Sequence, residues 1–153
     1  MRPRINMALL AGMIVVALVA FAACRGDRGI TTSGFWARAN VDVGMHGMGS
    51  SATSAIYGTI RGSGDRLTGA TVPSSVAALA ELHKTVVEGG IARMQPVAAA
   101  ELSGTLTLAP GGMHVMLFDL AAPLKPGDRF DVTLHFEHAG DRSVSVDVRA
   151  EAP

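Results

Sequence analysis

The sequence contains a single cysteine, Cys24, and this scarcity excludes several classes of protein. One thiol cannot form an intramolecular disulfide, and a structural zinc site usually needs at least two thiolates. A blue-copper electron carrier is excluded too, because its metal needs a cysteine ligand in the folded core. Because Cys24 is the only cysteine and precedes the predicted domain, that domain also has no cysteine nucleophile.

An excess of charge of one sign is missing as well. Thirteen basic side chains balance thirteen acidic ones, and neither sign forms a strong cluster. Because proteins bind nucleic acids through concentrated basic surfaces, we expect no nucleic acid partner. The sequence also has no glycine-rich phosphate loop, no nucleophile elbow and no recognisable Ser-His-Asp or paired-carboxylate arrangement, so we do not expect an enzyme.

The N-terminus has the pattern of an export signal. Arg2 and Arg4 precede an uncharged run over residues 7–23 that ends in small residues. The sequence FAAC at residues 21–24 resembles the lipobox of bacterial lipoproteins, with Phe21 in place of the usual aliphatic residue. We therefore predict a lipoprotein signal peptide over residues 1–23, a lipid anchor on Cys24 and a location in the bacterial periplasm or cell envelope. The alternatives are ordinary signal cleavage after Ala22 and a retained membrane helix.

The remaining residues have the pattern of one all-β domain. Residues 24–33 are polar and contain glycine, which predicts a tether, and residues 34–153 are the right size for a single domain. From Phe35 onward, short segments rich in Val, Ile, Leu and Thr alternate with Gly, Pro, Asp and Ser, and SAIYGTIRG at residues 54–62 and RLTGATV at residues 66–72 are predicted as two separate segments. Turn signals at this spacing predict an antiparallel sandwich or barrel.

Two hairpins are predicted in particular. Residues 130–137 alternate apolar and polar side chains, and the sequence HAGD at 138–141 leads into a second alternating segment. Residues 74–82 are ambiguous, because their alanines and leucines also suit a helical turn. We interpret the end of that segment as a strand, with a turn at 88–90 and a returning strand that ends near Val97.

Histidine and methionine occur together on the predicted strands. The period of a strand places His114 and Met116 on one face, with Met113 and Val115 on the other. His83 and Met94 lie on the two arms of the predicted hairpin, at a distance that depends on its register. Thioether sulfur is soft and never protonated, so two imidazoles and two thioethers suit Cu(I) better than Mg, Ca or Mn.

These four residues resemble the motif of the PCu(A)C family of bacterial periplasmic copper chaperones, in which a His, a Met and a His-x-Met follow in order. Ten residues separate His83 from Met94, and nineteen separate Met94 from His114. The second interval is slightly shorter than the family usually has, and we assign the difference to the connection over residues 98–103. The resemblance extends over residues 35–149, where strand and turn segments match in order.

The resemblance implies a cupredoxin-like, immunoglobulin-like antiparallel β-sandwich. It also implies a metal site formed by His83, Met94, His114 and Met116, which holds Cu(I) and passes it to a copper-accepting protein. Cytochrome c oxidase subunit II, during assembly of its copper centre, and another copper chaperone are the expected acceptors. Two alternatives stay open: a β-sandwich lipoprotein that acts through protein contacts or in the envelope, with these side chains as packing, and a copper storage or detoxification protein.

The other methionines and histidines, and the single tryptophan, have different interpretations. Met45, His46 and Met48 lie in a loop rich in Gly and Ser, either as auxiliary copper ligands or as incidental residues. His135 and His138 have no methionine partner at strand spacing, so we interpret both as surface residues. Trp36 is expected in core or edge packing, with a position near the rim of the metal site as the alternative.

Overall fold

The computed structural model describes residues 29–40 and 52–152, and every regular element within these ranges is a β-strand. The chain thus has the predicted all-β fold. No helix in the described part of the chain is long and apolar enough to cross a membrane. The eight strands are β1 (Thr31–Arg38), β2 (Ser54–Thr71), β3 (Ala77–Glu88), β4 (Ile91–Pro96), β5 (Ala100–Leu108), β6 (Met113–Leu120), β7 (Arg129–Phe136) and β8 (Gly140–Arg149).

Both predicted hairpins are confirmed. In the β3–β4 hairpin, Glu88 pairs with Ile91, and the two glycines between them have positive φ angles of 59° and 81°. This backbone suits glycine and matches the twist of a two-residue hairpin. In the β7–β8 hairpin, Phe136 pairs with Gly140. The ambiguous segment over residues 74–82 forms a turn and then the start of β3, so its end is a strand as predicted.

Strand β2 connects the two parts of the sandwich. It pairs in turn with β6 at residues 54–56, with β1 at 56–61, with β5 at 58–67 and with β7 at 67–71. Its side chains therefore join the ligand-bearing strands and the C-terminal hairpin around one core. The largest fully buried side chains of this core are all aliphatic: Ile56, Ile60, Leu67, Leu102, Leu108, Leu117, Leu134, Val115, Val132 and Val146.

Two boundaries differ from those predicted. The sequence predicts separate segments on either side of Gly64, but β2 is continuous. A bulge between Ser63 and Asp65 accommodates Gly64, whose φ is 70°. The predicted tether over residues 24–33 is also too long. Ile30 is buried in the core. Strand β1 begins at Thr31, because Thr31 and the next two residues pair with β2.

Candidate metal centre

The two histidines of the predicted site are brought together by the pairing of β3 with β6. In this antiparallel register His83 lies directly opposite His114, so both side chains project from the same face of the sheet. Their ring centroids are 6.2 Å apart, and both residues are buried. Since metal–imidazole bonds are about 2 Å long, one ion between the rings is within reach of both.

The two methionines occupy the same face. Met116 is two residues from His114 on β6, and it packs half-buried against Trp36, Ala55 and Tyr57. Met94 pairs with Thr85, the residue two positions after His83, and its side chain is therefore diagonal to His83. Met94 differs from the other three residues in that it is 59% exposed.

A cavity of about 550 Å³ adjoins these side chains. Three of the four predicted ligands line it, namely Met94, His114 and Met116. His83 does not line this cavity. Its ring lies near those of His114 and Phe118, with centroid distances of 6.2 and 5.6 Å. The structure therefore places three candidate ligands around one space and the fourth against the ring of His114.

Hydrogen bonds leave one nitrogen of each imidazole available. His114 Nδ1 donates to the carbonyl oxygen of Gly112 at 3.2 Å, which leaves the lone pair on Nε2. His83 has the opposite arrangement, because its Nε2 lies 3.2 Å from Oε2 of Glu81. His83 Nδ1 is buried without a hydrogen-bond partner among the described residues. A buried polar atom without a partner is costly, and a bound metal ion would satisfy it.

The surroundings of His114 favour its neutral form. Burial lowers the pKa of His114, and the nearby His83 lowers it further, although the hydrogen bond to Gly112 opposes both effects. A neutral imidazole is the form that binds metal. Burial also raises the pKa of Tyr57, which lines the cavity, despite an opposing effect of Arg38. Within the described ranges, no three His, Cys, Asp or Glu side chains are grouped to hold a metal ion.

The other two histidines among the described residues make structural contacts. His135 is half-buried, with Nδ1 at 2.7 Å from Asp141 and Nε2 at 3.1 Å from Thr71. His138 is exposed, and its Nδ1 lies 3.3 Å from the buried carboxylate of Asp65. Met45, His46, Met48 and Cys24 lie outside the described residues.

The sequence interpretation missed Arg38, Tyr57 and Glu81 as neighbours of the candidate site. Arg38 and Tyr57 line the cavity from β1 and β2, which are distant in sequence, and no local pattern indicates this. Trp36, expected in core or edge packing or near the rim of the metal site, is buried with its ring 4.7 Å from that of Tyr57. Glu81 was detectable, because it lies two residues before His83 on a strand and therefore shares its face.

Family models and curated proteins identify relatives of the chain. The LpqE-like family, described as "Putative lipoprotein LpqE-like", matches residues 30–148. "Putative lipoprotein Lxx21020" of Leifsonia xyli subsp. xyli is 35% identical over 127 residues, which cover 79% of this chain and 70% of that protein. "Uncharacterized protein RP573" of Rickettsia prowazekii is 30% identical over 124 residues, which cover 77% of this chain and 65% of that protein.

Solved structures share the fold. The copper-bound PCuAC domain from PmoF2 matches with a TM-score of 0.60 and 25% identity, covering 80% of this chain and 93% of that domain. The solution structure of CuI-DR1885 from Deinococcus radiodurans matches with a TM-score of 0.56 and 26% identity, covering 85% and 87%. These similarities confirm the cupredoxin-like β-sandwich and the resemblance to PCu(A)C proteins. The chain belongs to the LpqE-like family.

Proposed function

We propose that this protein is a copper chaperone of the bacterial envelope, which binds one Cu(I) through His83, Met94, His114 and Met116 and passes it to an acceptor protein. One observation carries the proposal. Met94, His114 and Met116 line a single cavity, and the ring of His83 adjoins His114 with a buried, unpartnered nitrogen. The similar structures support it, since one is a copper-bound PCuAC domain and another is CuI-DR1885.

The donor set determines which metal is expected. Two neutral imidazoles and two thioethers contribute no negative charge, and Cu(I) is soft and carries only one positive charge. Zinc prefers thiolate or carboxylate ligands together with imidazole. We therefore infer a strong preference for Cu(I) over Zn(II).

Unequal exposure of the four ligands suits transfer of the ion. His83 and His114 are buried, whereas Met94 is 59% exposed on the edge strand β4. An acceptor's ligand can therefore reach the ion most directly by replacing the thioether of Met94, while the histidines still hold it. Cytochrome c oxidase subunit II, during assembly of its copper centre, and a second copper chaperone are the acceptors we propose.

We place this activity at a membrane. A signal peptide over residues 1–23 and a lipid on Cys24 would attach the β-sandwich to the envelope through the residues before Ile30. The family description and the name of the Leifsonia relative, both of which refer to lipoproteins, support this location.

A competition titration of the purified protein with Cu(I), and separately with Zn(II), tests the proposed site. We expect one tight Cu(I) per chain and weak Zn(II) binding. Substitution of any one of His83, Met94, His114 or Met116 should weaken Cu(I) binding. His135→Ala serves as the matched histidine control, because His135 lies away from the site, on β7. Zinc binding as strong as copper binding, or variants with unchanged copper affinity, would contradict the proposal.

Transfer distinguishes delivery from storage. The copper-loaded protein is mixed with an apo acceptor, such as the soluble copper-binding domain of an oxidase subunit II, and the ion is followed spectroscopically. A delivery protein should transfer Cu(I) faster with the acceptor present than it loses the ion by itself. Equal rates would favour copper storage.

A further inference from the structure

Within the described part of the chain, Glu81 makes the only hydrogen bond to the His83 ring. It lies two residues earlier on β3, on the same face, and its Oε2 is 3.2 Å from His83 Nε2. Across the sheet Glu81 is directly opposite Met116, while His83 is opposite His114. The carboxylate thus adjoins the candidate site without a place in the proposed ligand set.

We propose that Glu81 is a positioning residue, which holds the His83 ring so that Nδ1 is the nitrogen offered to the metal. This inference rests on the proposed Cu(I) site. An ionised carboxylate only accepts hydrogen bonds, so the contact at 3.2 Å places the proton of a neutral His83 on Nε2. The lone pair is then on Nδ1, the atom that is buried without a partner.

A carboxylate behind a metal-bound histidine has a known physical effect. It selects one tautomer, fixes the orientation of the ring and makes the opposite nitrogen a better donor. The Gly112 carbonyl acts in the same way on His114, but from Nδ1. The two imidazoles therefore offer different nitrogens to one ion, Nδ1 from His83 and Nε2 from His114.

The surroundings of Glu81 favour a supporting role over direct ligation. Glu81 is absent from the lining of the cavity formed by Met94, His114 and Met116, and it lines a separate one with Pro96 and His135. Its side chain is 45% exposed, whereas that of His83 is 11% exposed. Glu81 therefore reaches the site through the His83 ring.

Three variants test the role of Glu81. Glu81→Ala removes the acceptor, whereas Glu81→Gln removes the charge and keeps an amide oxygen that can accept from Nε2. Glu88→Ala is the matched control, because it removes one negative charge from the same strand at an exposed position. Each full-length protein is titrated with Cu(I) in competition with a chelator, and the tautomer of His83 in the metal-free protein is read from two-bond proton–nitrogen NMR spectra.

We expect wild-type His83 to be protonated on Nε2 alone and the Glu81→Ala variant to show a mixture of tautomers. Copper affinity should fall about 10- to 100-fold in Glu81→Ala, as is usual when the partner of a ligand is removed. Glu81→Gln should keep most of the affinity, and Glu88→Ala should keep all of it.

Three results would overturn the role of Glu81. The first is an unchanged tautomer and affinity in Glu81→Ala. The second is an equal loss in Glu81→Gln and Glu81→Ala, because that would assign the effect to charge. The third is the disappearance of an oxygen ligand from the X-ray absorption spectrum of copper-loaded Glu81→Ala, because Glu81 would then be a ligand.

A wild-type protein that binds no Cu(I) would instead refute the proposed function, and the NMR comparison would still show whether Glu81 orients His83.

Discussion

Individual residues of the candidate centre differ mainly in burial. His114 and His83 are 3% and 9% exposed, Met116 is half-buried against aromatic rings, and Met94 is 59% exposed. A buried methionine contributes to packing as well as to any metal site, whereas an exposed one contributes little to stability. Substitutions at Met116 therefore need to separate the two contributions.

Met116→Ile separates them. Because this swap nearly conserves apolar volume, we expect the free energy of unfolding to fall by less than about 1.5 kcal/mol. The loss of one thioether should weaken Cu(I) binding by about tenfold or more, equivalent to ~1.4 kcal/mol. Urea unfolding and chelator competition measure the two effects. Met113→Ile, on the opposite face of the same strand, is the control. Large destabilisation with unchanged copper affinity would show that Met116 is only a packing residue.

At the scale of the elements, hydrogen bonds to Asp65 connect the bulge of β2 with the turn between β7 and β8. Its side chain is fully buried, and its carboxylate accepts hydrogen bonds from the backbone N–H groups of Arg66, His138 and Ala139 at 2.8, 3.0 and 2.8 Å. Burial raises the pKa of Asp65, but these bonds and the His138 ring outweigh it and lower the pKa to about 2. Asp65 is thus more acidic folded than unfolded.

We predict that Asp65 makes stability depend on pH. A lowered pKa contributes stability above the unfolded value of 3.8, and this contribution is lost as the pH falls from about 4 to about 2. The contribution is on the order of 2 kcal/mol. Chemical unfolding of wild type and Asp65→Asn over this range measures it. The difference in unfolding free energy should be largest above pH 4 and shrink towards pH 2, and a constant difference would contradict the assignment.

Asn40 and Thr53, described residues that flank Met45, His46 and Met48 in the sequence, both line the cavity. We propose that these three residues bind at most one additional copper, weakly. Ordering a glycine-rich loop costs roughly 1 to 2 kcal/mol per residue, whereas ligands on strands are already in place.

A triple variant tests the loop. In Met45→Ala, His46→Ala, Met48→Ala we expect the weak Cu(I) binding event to disappear and the tight one to persist in a competition titration. Loss of the tight event would show that the loop supplies primary ligands, and the four-residue assignment would then need revision.

At the scale of the whole molecule, the main prediction concerns attachment of the protein to a membrane. We predict that Cys24 is lipidated and that the full-length product fractionates with membranes. Cys24→Ser should yield a soluble product with unchanged Cu(I) affinity, because Cys24 precedes the sandwich and has no place in the metal site. Metabolic labelling with a fatty acid and fractionation provide the measurements. A free soluble wild-type protein that begins at Ala23 would show that FAAC is not a lipobox.

The sequence alone determined the strand character, the two hairpin turns and the faces of the strands. These features depend on local chemistry: the period of two, and glycine where φ is positive. His114 and Met116 share a face for this reason. The resemblance in the order of His and Met residues also led to the fold class that the similar structures confirm.

Only the tertiary structure decided which residues meet across strands. The register that sets His83 opposite His114, the exposure of Met94 and the contact of Arg38 and Tyr57 with the cavity all depend on pairing between distant segments. The same holds for the continuity of β2 through Gly64 and the inclusion of Ile30 in the core, which local turn and tether patterns had predicted otherwise. A local pattern specifies the face of a side chain but not its partner, because every shift of register by two residues preserves the face while changing each cross-strand neighbour.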